Sequence, residues 1–328
     1  MADHQEITYP APVPNMRVEA LPIFFSQLEA QLYDAPDEVR RLFHGRGRCW
    51  EGLEQLTCDW LQGQLIVNLF KPVDDHFLHQ LEAGLLALSR SDVWKEKQGR
   101  CIALQHRYEN GAPTQVLSGS LETRPVVCEH GLKYQLDIGR NQNFGLFLDM
   151  RHGRRWVQQR AQHKKVLNLF AYTCGFSVAA LAGGADQVVN VDMARASLNK
   201  GRENHQLNGH NLQAVHFLGH DIFKSWGKIK KLGRYDLIII DPPSFQKGSF
   251  ALTKDYAKIL RRLPDLLSEA GEVIACVNSP VVSSQFLLDS MAQEAPELQF
   301  VERLDNPPEF MDADNEASLK VMIFCRQH

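Results

Sequence analysis

The stretch Asp241-Pro242-Pro243-Ser244-Phe245 directly follows the apolar run Tyr235-Asp236-Leu237-Ile238-Ile239-Ile240. Two consecutive prolines fix φ and supply no N–H, so this loop is stiff and its carbonyls can face a ligand. An acid before them and an aromatic after them make a slot for a planar nitrogen base. In that slot Phe245 stacks, Asp241 and the loop carbonyls accept base N–H groups, and the nucleophilic nitrogen faces a methyl donor, which is how an extruded base is read. The competing reading is a rigid strand exit without chemistry. Asp192 ends a second apolar run, Gln187-Val188-Val189-Asn190-Val191. An acid at that place can accept both ribose hydroxyl hydrogens and would repel a 2′-phosphate; otherwise it caps the helix that follows. Asp221, in Asp221-Ile222-Phe223, is placed to accept from an adenine amino group, or else to cap a turn.

The first turn reads Phe170-Ala171-Tyr172-Thr173-Cys174-Gly175-Phe176-Ser177, with one central glycine and no Gly-x-Gly-x-x-Gly fingerprint. A pyrophosphate needs backbone amides to come very close, and glycines permit that. Their scarcity argues against NAD or FAD. S-adenosylmethionine has no phosphate and needs one close approach, for its amino-acid part. The expected cofactor contacts are therefore Phe170, Ala171, Tyr172, Thr173, Gly175, Asp192, Met193, Asp221, Ile222 and Asp241.

These residues need a scaffold that gathers strand ends. After residue 139 the sequence alternates short apolar runs with helical stretches. Strands are expected at 166–171, 187–191, 212–217, 235–240 and 272–277, with two more at 298–304 and 319–325. Helices are expected at 175–182, 194–207, 253–267 and 284–292. That alternation specifies an α/β fold, a Rossmann-like, doubly wound, mostly parallel sheet of seven strands. The last two strands have no helix between them, which places an antiparallel hairpin at one edge. Residues 1–140 read as a smaller α+β domain and 141–328 as the catalytic domain. In the first, 21–43 has helical spacing broken at Pro36, 65–70 and 101–108 look like strands, 74–88 looks helical, and 125–138 is a strand broken at His130-Gly131.

The chain has 328 residues, 44% hydrophobic and 23% charged, with net charge −3. Those are globular values, and the charge excludes a protein that coats nucleic acid non-specifically. No run approaches the roughly 18 apolar residues of a membrane helix. The first 16 residues read as a Pro-containing leader rather than a signal peptide. Seven cysteines lack Cys-x-x-Cys spacing, so reduced thiols in the cytoplasm are expected and a metal site is not. Two basic groups stand out: Arg40, Arg41, Arg46 and Arg48, and an acid-free run with Arg151, Arg154, Arg155, Arg160, Lys164 and Lys165. Either these dock on a polyanion or they are solvated helix faces.

Residues 141–328 resemble the large-subunit ribosomal RNA methyltransferase family of class I S-adenosylmethionine-dependent enzymes. The matching pieces are Phe144-Gly145-Leu146-Phe147-Leu148-Asp149-Met150-Arg151, Leu167-Asn168-Leu169-Phe170-Ala171-Tyr172-Thr173, Asp192, Asp221-Ile222-Phe223 and Asp241-Pro242-Pro243-Ser244-Phe245. The small domain also resembles the family's central domain, and the resemblance finds no PUA module ahead of it. The family includes a 5-methylcytosine enzyme and an N7-guanine enzyme. Its cytosine members carry a catalytic Cys at the end of strand five. Here Ala275-Cys276-Val277-Asn278-Ser279 puts Asn278 at that place, as in the N7-guanine member. Carbon 5 of cytosine needs a thiolate to add at carbon 6, whereas a nitrogen has its own lone pair and needs only positioning. Cys276 lies deeper in the strand and Cys174 sits in the cofactor turn, both as packing.

The resemblance thus implies a cytoplasmic methyltransferase acting on a nitrogen of a ribosomal RNA base. Asp241, Pro242, Pro243 and Phe245 would form the catalytic slot, and Ser244, Phe245, Asn278, Arg46, Arg48 and Arg151 would contact substrate. A methyltransferase for a protein side chain or small molecule, and a non-catalytic module of the same fold, are the alternatives.

Overall fold

A computed structural model describes residues 16–34, 37–139, 143–243, 245–246 and 250–326. The described chain forms two compact units that interleave along the sequence. The first holds Met1–Cys128, Leu136–Phe144 and Pro308–Ala317, and the second holds Glu129–Gln135, Gly145–Pro307 and Ser318–His328.

In the first unit, five strands lie in the order Arg40–His44, Leu56–Trp60, Gln64–Leu69, Cys101–His106 and Thr114–Gly119. Only the third and fourth are parallel, and the helix Asp75–Leu88 falls between them in sequence. That helix begins where Asp74 Oδ1 accepts from Phe77 N at 2.7 Å, and it buries Phe77, Leu81, Leu85 and Leu88 along one stripe. These side chains share a core with Phe24, Leu28 and Leu32 of helix Leu21–Tyr33 and with Leu65, Val67, Leu69, Ile102 and Leu104 of the sheet. The helix expected over 21–43 is thus shorter, because Arg40–His44 pairs with Leu56–Trp60 as an edge strand. The expected strand over 125–138 is a hairpin of Val126–Glu129 and Leu132–Gln135, of which Glu129–Gln135 belong to the second unit. His130 and Gly131 turn it with positive φ of 50° and 77°.

The second unit carries the seven-stranded sheet: β1 Lys165–Leu169, β2 Gln187–Val191, β3 Val215–Leu218, β4 Tyr235–Ile240, β5 Leu267–Val277, β6 Leu298–Leu304 and β7 Lys320–Arg326. Their order across the sheet is β3-β2-β1-β4-β5-β7-β6. The first five are parallel, while β7 runs antiparallel between β5 and β6. Both faces are covered, so the strands are apolar throughout and alternate residues feed different cores. Ile238 and Ile240 point into one core; Leu237 and Ile239 point into the other, with Ile274 and Cys276. The covering helices are α1 Arg151–Arg160, α2 Gly175–Ala182, α3 Arg195–Leu207, α4 Leu252–Leu260 and α5 Ser284–Glu294. The helix expected over 253–267 breaks after Leu260. Pro264 lies in the first turn of a separate short helix, Leu263–Leu266, where its missing N–H costs nothing, and β5 starts at once at Leu267.

A buried polar chain ties the elements that will carry the site. Asn168 Nδ2 donates to Asn190 Oδ1 at 2.9 Å, Asn190 Nδ2 donates to Ser177 Oγ at 2.9 Å, and Ser177 bonds His205 at 2.8 Å. It links β1, β2, α2 and α3, and leaving any member unpartnered would incur its full desolvation cost. Among the described residues no helix is long and apolar enough to cross a membrane.

Candidate active site

Leu169 at the end of β1 lies opposite both Val191 of β2 and Ile240 of β4. Phe170, Asp192 and Asp241 therefore leave the sheet side by side at its carboxyl edge. The strand order runs outward in both directions from between β1 and β4, the switch point where open α/β sheets hold ligands.

The turn after β1 passes through left-handed backbone at Phe170 (φ 58°), Tyr172 (φ 48°) and Cys174 (φ 63°). None is a glycine, and each such residue costs roughly 1–2 kcal/mol. Hydrogen bonds hold the turn there: Ala171 N to Val191 O at 3.1 Å, Cys174 N to Ala171 O at 2.7 Å and Tyr172 N to Asp192 Oδ2 at 2.8 Å. Thr173 Oγ1 also donates to Gly145 O. Non-glycine backbone of this kind clusters at functional sites, where the surrounding structure holds it in place. Gly175 does not supply the unusual backbone of the turn. It opens α2, and a Cβ there would make ordinary 3.5 Å contacts with Arg154 and Leu146.

Asp192 is half-buried and does two things at once. Oδ2 accepts from Tyr172 N, and Oδ1 accepts from Ala194 N at 2.8 Å, at the entry to α3. Each oxygen keeps capacity for a further donor. Met193 beside it is exposed. Asp221 caps a turn: Oδ1 accepts from Phe223 N at 2.9 Å, and Ile222 is buried in the core. That satisfies the capping reading and leaves Oδ2 3.8 Å from exposed Lys224 Nζ.

Asp241 is the most perturbed carboxyl here. Burial, together with the nearby Asp149 carboxylate, pushes it up to about 7, and the Arg154 guanidinium opposes the shift. Asp149 lies in the turn Leu148–Met150 and accepts from Asn278 Nδ2 at 3.3 Å. Asn278 follows the last residue of β5 and is exposed. Asp149 has no site role in the sequence reading, although it belongs to a motif that carries the resemblance. Pro242 is buried and Pro243 exposed. Ser244 and the side chain of Phe245 lie outside the described residues.

The basic run 151–165 is divided: Arg151 and Arg154 are buried, whereas Arg155 and Arg160 are exposed. Arg151 and Arg154 are 5% and 4% exposed. Arg154 forms a two-pronged buried pair with Glu129, Nε to Oε1 at 2.6 Å and Nη2 to Oε2 at 2.8 Å. Arg160 lies over the Trp156 ring at 4.5 Å, and Lys164 pairs with Glu272. Arg151 lies inside the unit, at the start of α1. Arg46 and Arg48 belong to the other unit. Arg48 pairs with Asp312 Oδ1 at 3.0 Å, while Arg46 is exposed and lies 4.3 Å over the ring of Phe70.

Cys174 and Cys276 are fully buried. Burial pushes both thiols far above their usual range, Cys174 with the Asp192 carboxylate adding to it and Cys276 with Asp241. Cys174 packs under α3, where a Cβ on Gly201 would fall 2.3 Å from its sulfur. Neither is a nucleophile.

A model of the S-adenosylmethionine-dependent methyltransferase family matches residues 40–325. A Bacillus subtilis protein named "Putative ribosomal RNA large subunit methyltransferase YwbD" is 32% identical over 265 residues, 77% of this chain and 64% of that protein. Ribosomal RNA large subunit methyltransferase I of Escherichia coli is 33% identical over 268 residues, 77% of this chain and 66% of its own length. The chain thus spans about two thirds of the length of these relatives. Among solved structures, a methyltransferase complexed with SAH superposes with a TM-score of 0.80 at 25% identity, covering 96% of this chain and 83% of that one. A methyltransferase fold from Streptococcus mutans superposes with a TM-score of 0.81 at 24% identity over the same shares. With the matched model spanning both units and the strand-end acids in place at the switch point, this chain belongs to the S-adenosylmethionine-dependent methyltransferase family.

Proposed function

We propose that this protein transfers a methyl group from S-adenosylmethionine to a ring or exocyclic nitrogen of a ribosomal RNA base. The observation that carries the nitrogen target is the burial of Cys276 and Cys174 with Asn278 at the strand-five exit. Without a thiolate, carbon 5 of cytosine has no route to activation. The names of the curated relatives support ribosomal RNA as the substrate. Seven cysteines without Cys-x-x-Cys spacing support a reducing compartment, the cytoplasm.

The residues fit the cofactor on two counts. Asp192 has one acceptor site per oxygen left for two ribose hydroxyls. Asp149 and Asp241 are electrostatically coupled carboxylates, suited to a sulfonium cation. When bound, the cofactor supplies an already activated methyl. The protein's part is alignment and exclusion of water: the stiff Pro242-Pro243 exit holds Asp241, and Asp241 accepts N–H groups from the acceptor base. For guanine N7, which carries no proton, Asp241 holds the opposite edge and removes nothing.

Asp192→Ala will weaken S-adenosylmethionine binding by roughly 1.5–3 kcal/mol, the scale of a hydrogen bond to a charged group. Calorimetric titration checks this, and an unchanged Kd would take Asp192 out of ribose binding. Cys174→Ala and Cys276→Ala will each keep kcat within about threefold, because neither thiol meets the reacting atoms. A covalent adduct with 5-fluorocytosine-containing RNA, lost in either variant, would overturn the nitrogen target.

The substrate itself is tested by comparing ribosomal RNA nucleosides from strains with and without the gene, by mass spectrometry. One N-methylated nucleoside should disappear. An unchanged nucleoside profile would refute ribosomal RNA as the substrate.

A further inference from the structure

We propose that Arg46 and Arg107, seated together on the ring of Phe70, form a clamp for RNA phosphates. This rests on the reading of RNA as substrate and adds a second, non-catalytic contact in the first unit. The guanidinium carbons lie 4.3 Å (Arg46) and 5.0 Å (Arg107) from the centre of the same ring.

The platform is rigid by construction. Leu69 and His106 are register partners at the ends of two parallel strands, so Phe70 and Arg107 emerge next to each other. Phe70 N donates to Gln55 O at 3.0 Å and Arg107 N donates to Leu69 O at 2.8 Å. Arg46 sits in the tight turn Gly45–Gly47. A Cβ on Gly45 would fall 1.9 Å from Leu53 O, and one on Gly47 would fall 1.9 Å from Met311 O. Only glycines allow that seat, and they fix where Arg46 projects.

The charge accounting shows which arginines are spent. Arg41 gives Nε and Nη2 to the two Asp59 oxygens at 2.5 and 3.3 Å and Nη1 to His44 at 2.8 Å. Arg48 is paired with Asp312. Arg46 and Arg107 have no carboxylate within 4.0 Å among the described residues; the Asp59 carboxylate, already held by Arg41, acts on Arg107 from farther off, and Arg107 has an amide partner, Asn143 Oδ1, at 3.5 Å. An aromatic face attracts a guanidinium but does not neutralise it. Two like charges held on one ring, one exposed and one half-buried, call for an anion with more than one oxygen to offer. His44 contributes no charge, since burial and the neighbouring Arg41 and Arg46 push it down to about 3. Guanidinium edges that remain open match phosphate oxygens in pairs.

The test uses deproteinised ribosomal RNA from a strain lacking the gene, bound on filters between 50 and 250 mM KCl. Each phosphate that is no longer neutralised should flatten the slope of log affinity against log salt by about 0.7–0.9, so Arg46→Gln/Arg107→Gln should flatten it by about 1.4–1.8. At the lowest salt its affinity should fall at least tenfold, with S-adenosylmethionine affinity unchanged and methyl transfer recovering at saturating RNA. Arg234→Gln, an exposed residue elsewhere, should leave the affinity as it was. If the double variant binds and methylates as the wild type does, the clamp is wrong and the proposed activity stands. Loss of binding to intact ribosomal subunits with RNA affinity unchanged would assign the pair to a protein partner and overturn the clamp. If the wild type neither binds nor methylates this RNA, both readings fall together.

Discussion

Asp241→Asn will lower methyl transfer by about 10²- to 10³-fold, the cost of removing one positioned polar group from a reaction that depends on alignment. Cofactor affinity should fall by less than turnover does, because the proposed reading gives this carboxylate the acceptor base as a partner in addition to the cofactor. The effect carries a pH signature. With Asp241 raised to about 7, lowering the pH through that value protonates it, and a protonated carboxyl no longer serves as an acceptor on both oxygens. In the wild type, kcat/KM should therefore fall as pH drops below about 7, since this parameter reports the free enzyme. The Asn variant should lose that inflection. Stability carries the opposite sign. Between the ordinary carboxylate range and about 7, native Asp241 keeps a proton that the unfolded chain has released, so this group's contribution declines as pH rises across that window. A flat pH profile in the wild type would remove Asp241 from the acceptor slot.

The largest stability effect falls on Glu129→Gln. Glu129 and Arg154 are 1% and 4% exposed and joined by two hydrogen bonds. Removing the carboxylate strands a buried guanidinium, which costs about 3–5 kcal/mol. The loss spreads to the site. Arg154 touches the start of α2 near Gly175, and its charge opposes the rise in Asp241. Urea unfolding should show the midpoint falling at unchanged slope. The paired replacement Glu129→Leu/Arg154→Met should recover most of the stability, because apolar residues remove both desolvation costs together. If Glu129→Gln unfolds at the wild-type midpoint, the ion pair is not a structural fixture.

Much of this architecture is legible in the sequence, because a parallel sheet covered on both faces writes itself as short apolar runs between helices. The residues after those runs, Asp192, Asp221 and Asp241, are legible for the same reason: topology brings strand ends together. Cys276 reads as core from its alternation with Val277. Other features depend on contacts distant in sequence. Arg154 looks like one more surface cation until the hairpin residue Glu129 meets it. The strained turn carries Phe170, Tyr172 and Cys174 in a conformation usually left to glycine, so residue type alone does not reveal it. Asp149 acquires a role only when β5 delivers Asn278 to it. Arg46 and Arg107 are far apart in sequence, and Phe70 alone gives no sign that it gathers both.

The central claim is methyl transfer to a nitrogen of ribosomal RNA. Purified protein, S-adenosylmethionine labelled in its methyl group and ribosomal RNA from a strain lacking the gene test it most directly. Label should enter the RNA, nuclease digestion should release it in a single N-methylated nucleoside, and Asp241→Asn should transfer about 10²- to 10³-fold more slowly. Label recovered as 5-methylcytosine, or entering only protein or small molecules while the RNA stays unlabelled, would contradict it.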